Sequence, residues 1–218
     1  VILNVKMTVG ESHNVAAVLP GTDLKDEYLV FTAHWDHFGI GTPIDGDSIY
    51  NGASDNASGV ATLMLLAKKY QSLPVHSRRS IVFVAVTSEE CGLLGSQYYC
   101  EHPLFPLSKT AINLNFDGTA PRERTHDISL RAAGKTDTDA LVIAMASAQG
   151  RTVKVITEDP AGGYFRSDRF NFVKKGVPTI LVGGGKDYVD KASHEAKTKV
   201  YRYHQPNDEY DESWWDFD

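Results

Sequence analysis

Four short apolar runs, flanked by polar, glycine or proline residues, constrain the fold of this chain most strongly. They are rich in β-branched and aromatic residues, which is typical of strands buried on both faces. Between them, apolar residues recur at helical spacing. The runs are 27–32, 80–86, 110–116 and 177–182, and the helical stripes are Val60, Leu63, Met64, Ala67 and Tyr70, then Leu141, Met145 and Ala148. This alternation predicts an α/β fold, with a mostly parallel mixed sheet, helices on both of its faces, and antiparallel strands from residues 1–18.

Length and charge exclude several classes of protein. A chain of 218 residues is expected to form one domain, here 1–218. Its longest apolar runs, such as 81–86, are about six residues, whereas a membrane span needs about twenty, so no span is expected. A formal charge of −6 without a run of Lys or Arg argues against a nucleic-acid partner. Cys91 and Cys100 stand too far apart along helix-like sequence for a disulfide, which predicts two free thiols.

Metal-ligand residue types follow nearly every predicted strand. In open α/β sheets, ligands bind at the carboxyl ends of the strands, so these positions are the natural place for a site. Adjacent Glu89 and Glu90 follow a strand that must be central, where like charges are costly unless a cation neutralises them. The candidates are His34, Asp36, His37, Asp55, Glu89, Glu90, Asp117 and His204.

The residue types in this set suit zinc. Zinc takes imidazole nitrogen and carboxylate oxygen at about 2.0 to 2.2 Å. One tetrahedral ion needs fewer ligands than the set offers, and a single carboxylate can bridge two ions about 3.5 to 4 Å apart. The pattern G-x-S-x-G of serine hydrolases is absent. The sequence therefore favours a two-metal hydrolase.

Five segments in this order resemble the co-catalytic di-zinc aminopeptidases of metallopeptidase family twenty-eight. They are His34-x-Asp36, Gly-Ala-Ser-Asp-Asn-Ala-Ser-Gly at 52–59, Glu-Glu-x-Gly-Leu-Leu-Gly-Ser at 89–96, Asn-Phe-Asp at 115–117 and Tyr-His-Gln-Pro-x-Asp-Glu at 203–209. The resemblance runs from about residue 14 to 210 and is to bacterial members that carry a protease-associated domain before this segment. That domain is missing here, so we expect a catalytic-domain fragment of a longer chain. The same resemblance implies a periplasmic or secreted location.

The resemblance implies a role for each metal-ligand candidate. One zinc would be held by His34 and Asp117, the other by Glu90 and His204, and Asp55 would bridge both.

Asp36 and His37 lie close to His34 in sequence, and we predict different roles for them. Asp36 would accept the other ring N–H of His34 and so fix its tautomer. Residues two apart in a strand face the same way, so Asp36 can share the side of His34, whereas His37 falls on the opposite side. We therefore interpret His37 as a structural residue.

The resemblance also implies the chemistry. Glu89 would be the general base that takes the proton of a metal-bridged water as the water attacks the scissile carbonyl. Tyr203 is a candidate donor to the tetrahedral oxyanion, with a packing role as the alternative. Arg169 stands where the family's Ser-Asp-His stretch carries His, and nearby Arg166 could steer a peptide carboxylate or form a surface ion pair.

The predicted function is a two-zinc aminopeptidase that removes N-terminal residues from peptide substrates. One alternative is a glutaminyl-cyclase-like acyltransferase with a single zinc, which would share the fold. Another is a catalytically inactive binding domain of the same fold. The presence of Asp117 favours two metals, and an intact Glu89 argues against the inactive alternative.

Overall fold

The computed structural model describes residues 9–118, 123–131, 133–158, 162–200, 203–213 and 215. Within these ranges four strands come first, and from the first α-helix onward strands and α-helices alternate, as the sequence predicts, except that two strands follow each other at 110–131. The strands are β1 Val15–Leu19, β2 Leu24–His34, β3 Gly39–Ile44, β4 Asp47–Tyr50, β5 Arg79–Val86, β6 Thr110–Asn115, β7 Asp127–Arg131, β8 Thr152–Ile156 and β9 Leu181–Gly184. The helices are α1 Ser58–Gln71, α2 Leu94–Glu101, α3 Asp139–Ala148, α4 Arg169–Lys174 and α5 Lys191–Val200.

The main sheet has the strand order β1-β5-β2-β6. β2 is parallel to both β5 and β6, with Phe31 opposite Phe83 on one side and Leu114 on the other. β1 is antiparallel to β5. The expected antiparallel N-terminal strand is therefore confirmed for β1, and residues 1–8 lie outside the described ranges. The three parallel strands all end at the same edge of the sheet.

Helices cover both faces of this sheet, as predicted. The side chains of β5 alternate, so that Phe83 packs with Leu63 of α1 on one face. On the other face, Val84 lies in a cluster with Tyr99 of α2 and Phe172 of α4. Burial of each side chain of this size contributes about 1.5 to 3 kcal/mol. This two-sided burial explains why the strands read as continuous apolar runs.

The remaining strands form a three-stranded sheet, β8-β7-β9, and a β3-β4 hairpin. The predicted strand 177–182 is shifted, because β9 begins only at Leu181. Pro178 cannot donate to a ladder, and its carbonyl instead accepts the Asn113 N–H at 2.9 Å, beside a single parallel bridge from Asn113 to Thr179. Residues 177–179 thus contact the main sheet, while β9 pairs antiparallel with β7.

Cys91 and Cys100 are free, as predicted. None of the helices in the described ranges has the length and apolarity that a bilayer crossing requires.

Candidate metal centre

The carboxyl ends of the three parallel strands bring distant residues together. His34 is the last residue of β2, Glu89 and Glu90 follow β5, and Asp117 follows β6. Because parallel strands end at a common edge, these side chains converge although up to 83 residues separate His34 from Asp117 in sequence. Asp55 reaches the same place from the turn Ala53–Ala57 that precedes α1.

His34 contacts two carboxylates at this edge. Its Nε2 lies 3.1 Å from Asp55 Oδ1 and 3.6 Å from Asp117 Oδ1. His34 is only 1% exposed, so its Nε2 meets these two carboxylates away from solvent. The ring nitrogen and the two oxygens are close enough to share one cation.

A second histidine contacts the opposite oxygen of Asp55. The Nε2 atom of His204 lies 3.2 Å from Asp55 Oδ2 and 3.3 Å from Glu90 Oε2. Each oxygen of Asp55 thus faces a different histidine. The structure therefore brings together all five ligand candidates, in two groups that share Asp55.

His37 also lies in this cluster, contrary to the side predicted for it. Its Nδ1 is 2.9 Å from Glu90 Oε1, and His37, Asp55 and Glu90 form a second group of closely spaced ligand atoms. The strand alternation used for the prediction stops at His34, where β2 ends, so it does not govern residue 37. Only the bend of the following loop turns His37 back toward Glu90.

Asp36 supports the site in a different way from the one expected. The Nδ1 atom of His34 is 3.0 Å from the backbone carbonyl oxygen of Asp36, whereas the nearest Asp36 carboxylate oxygen is 3.7 Å away. The carboxylate instead accepts the backbone N–H groups of Glu89 and Glu90, at 3.1 and 3.3 Å. Asp36 therefore holds the His34 ring through its backbone carbonyl and the Glu89–Glu90 turn through its carboxylate.

The turn that carries Asp55 is held against β6. The Asn56 amide donates to the Phe116 carbonyl at 2.9 Å, and its oxygen accepts the N–H groups of Gly59 and Gly118. A Cβ at Gly59 would lie 2.6 Å from the Phe116 carbonyl oxygen, so the close approach of α1 to this strand end requires glycine. These contacts fix Asp55 relative to Asp117.

Asp208 is a structural residue of the site to which the sequence analysis gave no role. It is 1% exposed, and its two carboxylate oxygens accept the backbone N–H groups of Ser54 and Asp55 at 2.8 and 2.9 Å. Its own carbonyl accepts the Ala53 N–H at 2.9 Å. Asp208 thus attaches the segment of His204 to the turn of Asp55. The sequence signal is an acidic residue placed just after His204 and Pro206. Its role could not be predicted from that signal, because its partners, Ser54 and Asp55, are distant in sequence.

The charges in the cluster are strongly coupled. Burial opposes protonation of His34, but Asp117 and Asp55 outweigh it and raise the pKa of His34 to about 11. Burial raises the pKa of Asp55, yet the contact with His34 wins and lowers it below the usual range. A divalent cation would take the place of the proton that these groups otherwise share.

Glu89 and Tyr203 flank the cluster. Burial is the largest cause that raises the pKa of Glu89 to about 8, with Asp117 adding to it and His34 opposing it. Tyr203 stacks on the His204 ring, with ring centroids 3.6 Å apart. Burial and the nearby carboxylates raise the pKa of Tyr203, so its hydroxyl keeps its proton at neutral pH.

An open cavity of about 740 Å³ lies in front of the cluster, and Asp55, Asp117 and Tyr203 are among the residues that line it. A volume of this order accommodates a small ligand. The donor set of imidazole nitrogens and carboxylate oxygens fits zinc, and the buried Nε2 of His34, which faces Asp55 and Asp117, is placed as a ligand atom. The residues present therefore fit a metal centre with direct access to a ligand-sized space.

Imidazole and carboxylate side chains at one edge of an α/β sheet, beside a cavity, form a candidate metal centre with access to a ligand. The family model for Peptidase family M28 matches residues 14–217. This chain belongs to that family.

One sequence relative and two solved structures illustrate the similarity. Aminopeptidase YwaD from Bacillus subtilis is 32% identical over 108 residues, which is 49% of this chain and 21% of that protein. The structure of BSAP, a zinc aminopeptidase from Bacillus subtilis, superposes with a TM-score of 0.61 at 22% identity over 88% of this chain and 43% of that one. Porphyromonas gingivalis glutaminyl cyclase superposes with a TM-score of 0.58 at 20% identity, covering 77% and 61% of the two chains. The two structures show the fold that this chain shares. The matched part spans about a fifth of the length of YwaD.

Proposed function

We propose that this chain is the catalytic domain of a two-zinc aminopeptidase that hydrolyses N-terminal residues from peptides. The observation that carries the proposal is the placement of Asp55, whose oxygens lie 3.1 and 3.2 Å from the ring nitrogens of two different histidines. A carboxylate in that position can bridge two ions. His34 and Asp117 would hold one zinc, and His204 and Glu90 the other. Membership of a peptidase family and similarity to a zinc aminopeptidase support the choice of metal.

Zinc, when bound, would polarise the scissile carbonyl and lower the pKa of water. The protein residues supply the remaining chemistry. Glu89 lies beside the cluster and has a raised pKa, which suits a carboxylate that takes up a proton and later passes it to the leaving amine. Tyr203 retains its hydroxyl proton and lines the cavity, so it can donate a hydrogen bond to the developing oxyanion. Asp36 and His37 hold Glu90 and the Glu89–Glu90 turn in position.

The alternative function is a glutaminyl-cyclase-like acyl transfer at a single zinc. The similarity in fold to a glutaminyl cyclase supports this alternative. The contact of Asp117 with His34 argues against the single-zinc alternative. Asp117 and Glu90 lie in different groups around Asp55, and one ion does not need a carboxylate from each group. The two functions differ in product. A cyclase releases ammonia from an N-terminal glutamine and leaves every peptide bond intact. A periplasmic or secreted location remains part of the proposal and rests on the resemblance to bacterial enzymes.

A free α-amino group should be required for hydrolysis. The acidic cluster, Glu89 included, can receive an ammonium, and a hydrogen bond to a charged group contributes about 1.5 to 3 kcal/mol. We expect leucine para-nitroanilide to be cleaved roughly 100-fold faster than its N-acetylated form, as measured by kcat/KM. Comparable cleavage of both would point to an endopeptidase or a carboxypeptidase and would contradict the proposal.

A further inference from the structure

Arg169 is a buried cation that lines the same cavity as the metal cluster. It is the first residue of α4 and is only 6% exposed. The cavity it lines also contains Asp55, Asp117 and Tyr203. A ligand that reaches the metal cluster through this cavity therefore passes within reach of a guanidinium group.

The Arg169 side chain forms no ion pair within the described part of the chain, although the charges of Asp117 and Asp168 act on it. Its Nη1 donates a long hydrogen bond, 3.3 Å, to the Gly163 carbonyl, and its Nε has no partner among the described residues. No ion pair to Arg169 is found among those residues either. A buried charge without a counter-ion is costly. The arrangement therefore calls for an anion that the described protein residues do not supply.

The adjacent Asp168 does not neutralise this charge. Both of its carboxylate oxygens are buried and have no hydrogen-bond partner among the described residues. Burial raises the pKa of Asp168 to about 7, so part of the population is neutral at physiological pH. An arginine keeps its proton at any such pH. Arg169 therefore places a positive charge in the lining of the cavity, where no described carboxylate pairs with it directly.

The segment that carries Arg169 is fixed to the core on both sides. The Asn115 amide at the end of β6 donates to Ser167 Oγ at 2.9 Å. The Asn171 amide donates to the Leu93 carbonyl and to Ser96 Oγ, at 2.9 and 2.7 Å. Such contacts hold a binding side chain in a defined place.

Two more arginines, Arg131 and the exposed Arg166, line the same cavity. The lining of the cavity thus combines the carboxylates of Asp55 and Asp117 with three arginines. This combination suits a substrate that carries both a reacting amide and a carboxylate.

We propose that Arg169, with Arg166 at the exposed side, forms a carboxylate-binding subsite that selects substrates bearing a negative charge near the scissile bond. This inference rests on the proposed function, which places the reacting bond at the metal cluster. The carboxylate can come from an acidic N-terminal side chain or from the C-terminus of a dipeptide. Arginine suits either source because its planar fork binds carboxylate through two hydrogen bonds.

Two substrate pairs distinguish these sources. Glutamyl para-nitroanilide is compared with glutaminyl para-nitroanilide, and leucyl-leucine with leucyl-leucinamide. Charge-assisted hydrogen bonds predict a preference of about 10- to 100-fold in kcat/KM for the charged member of one pair. We expect the change to lie mainly in KM. Equal kcat/KM values within both pairs would overturn the proposal.

The Arg169→Gln variant should bring that preference close to one. Arg78→Gln is the matched control, because Arg78 is exposed and pairs with the exposed Asp23. It should retain the full preference. Arg166→Gln, at an exposed position where folding is not at risk, should lower the preference several-fold. If Arg169→Gln folds, as judged by its Tm, and keeps the full preference, the proposal is wrong. If Arg169→Gln does not fold, the test passes to Arg166→Gln, and an unchanged substrate preference in that variant shows that the proposal is wrong.

A binding experiment separates this inference from the proposed function. Calorimetric titration of the Glu89→Gln variant with leucyl-leucine and with leucyl-leucinamide needs no turnover. Glutamate and glutamine test the side-chain source in the same way. Tighter binding of the charged member of one pair, lost in the Glu89→Gln, Arg169→Gln double variant, supports the subsite even if no peptide is hydrolysed. Equal affinities within both pairs overturn the subsite, whatever the activity.

Discussion

The Glu89→Gln variant is expected to lose about 10² to 10⁴-fold in kcat while both zinc ions stay bound. Glutamine keeps the size of the side chain but cannot take up a proton, and a positioned acid or base contributes rate enhancement in this range. The Glu89 carboxyl is partly buried, and that burial is the largest cause that raises its pKa. The measurement is kcat on an aminoacyl para-nitroanilide together with zinc content by elemental analysis.

Two other glutamates serve as controls for this result. Glu101→Gln changes an exposed residue of α2 that accepts a hydrogen bond from Gln97, and it should leave kcat and zinc content unchanged. Glu90→Gln should instead reduce the zinc content toward one ion, because a neutral amide is a poorer zinc ligand than a carboxylate. If Glu89→Gln lost a zinc ion and Glu90→Gln kept both, the roles of base and ligand would be reversed. Full activity with both metals in the two variants would contradict the two-zinc hydrolase mechanism.

The Asp55→Asn variant is expected to lose more activity than Glu89→Gln, because Asp55 contacts both halves of the metal cluster. Its oxygens lie 3.1 Å from His34 Nε2 and 3.2 Å from His204 Nε2, so its loss should weaken both metal positions. We expect kcat to fall beyond the roughly 10⁴-fold limit for loss of a base alone. Zinc content should fall below one ion per chain after dialysis against buffer.

The substitution is a mild one for the fold. The Asp55 backbone N–H keeps its hydrogen bond to Asp208, and asparagine has nearly the same shape as aspartate. A variant that folds like the wild type, as judged by circular dichroism, yet retains two zinc ions would show that Asp55 does not bridge the metals.

The parallel core could be predicted from the sequence because each central strand is buried on both faces. A continuous run such as 80–86 is typical of a strand buried on both faces, and Val60, Leu63, Ala67 and Tyr70 of the first helical stripe pack on one face of the resulting sheet. Met64 of that stripe, and Leu141 and Met145 of the second, are exposed instead. The β3-β4 hairpin and the strands β7 and β8 were not predicted, and β9 was predicted only in part, as the run 177–182. Their strands are short, and most of their residues are exposed or only partly buried, so they lack a strong apolar pattern.

The candidate ligands could also be predicted, since strand ends at one sheet edge must converge. The supporting contacts could not. His37 reaches Glu90 through a loop that follows the end of β2, and Asp208 reaches the turn of Asp55 across 153 residues of sequence. The absence of an ion pair to Arg169 among the described residues likewise depends on which side chains the fold places around it. A local pattern carries no information about such distant partners.

Zinc stoichiometry with anomalous scattering tests the central claim most directly. After reconstitution with zinc, elemental analysis should give two ions per chain. Diffraction at the zinc absorption edge should show two peaks about 3.5 to 4 Å apart, on either side of Asp55, one near His34 and one near His204. A single zinc per chain with one anomalous peak would contradict the two-zinc account and would favour cyclase-like chemistry at one metal.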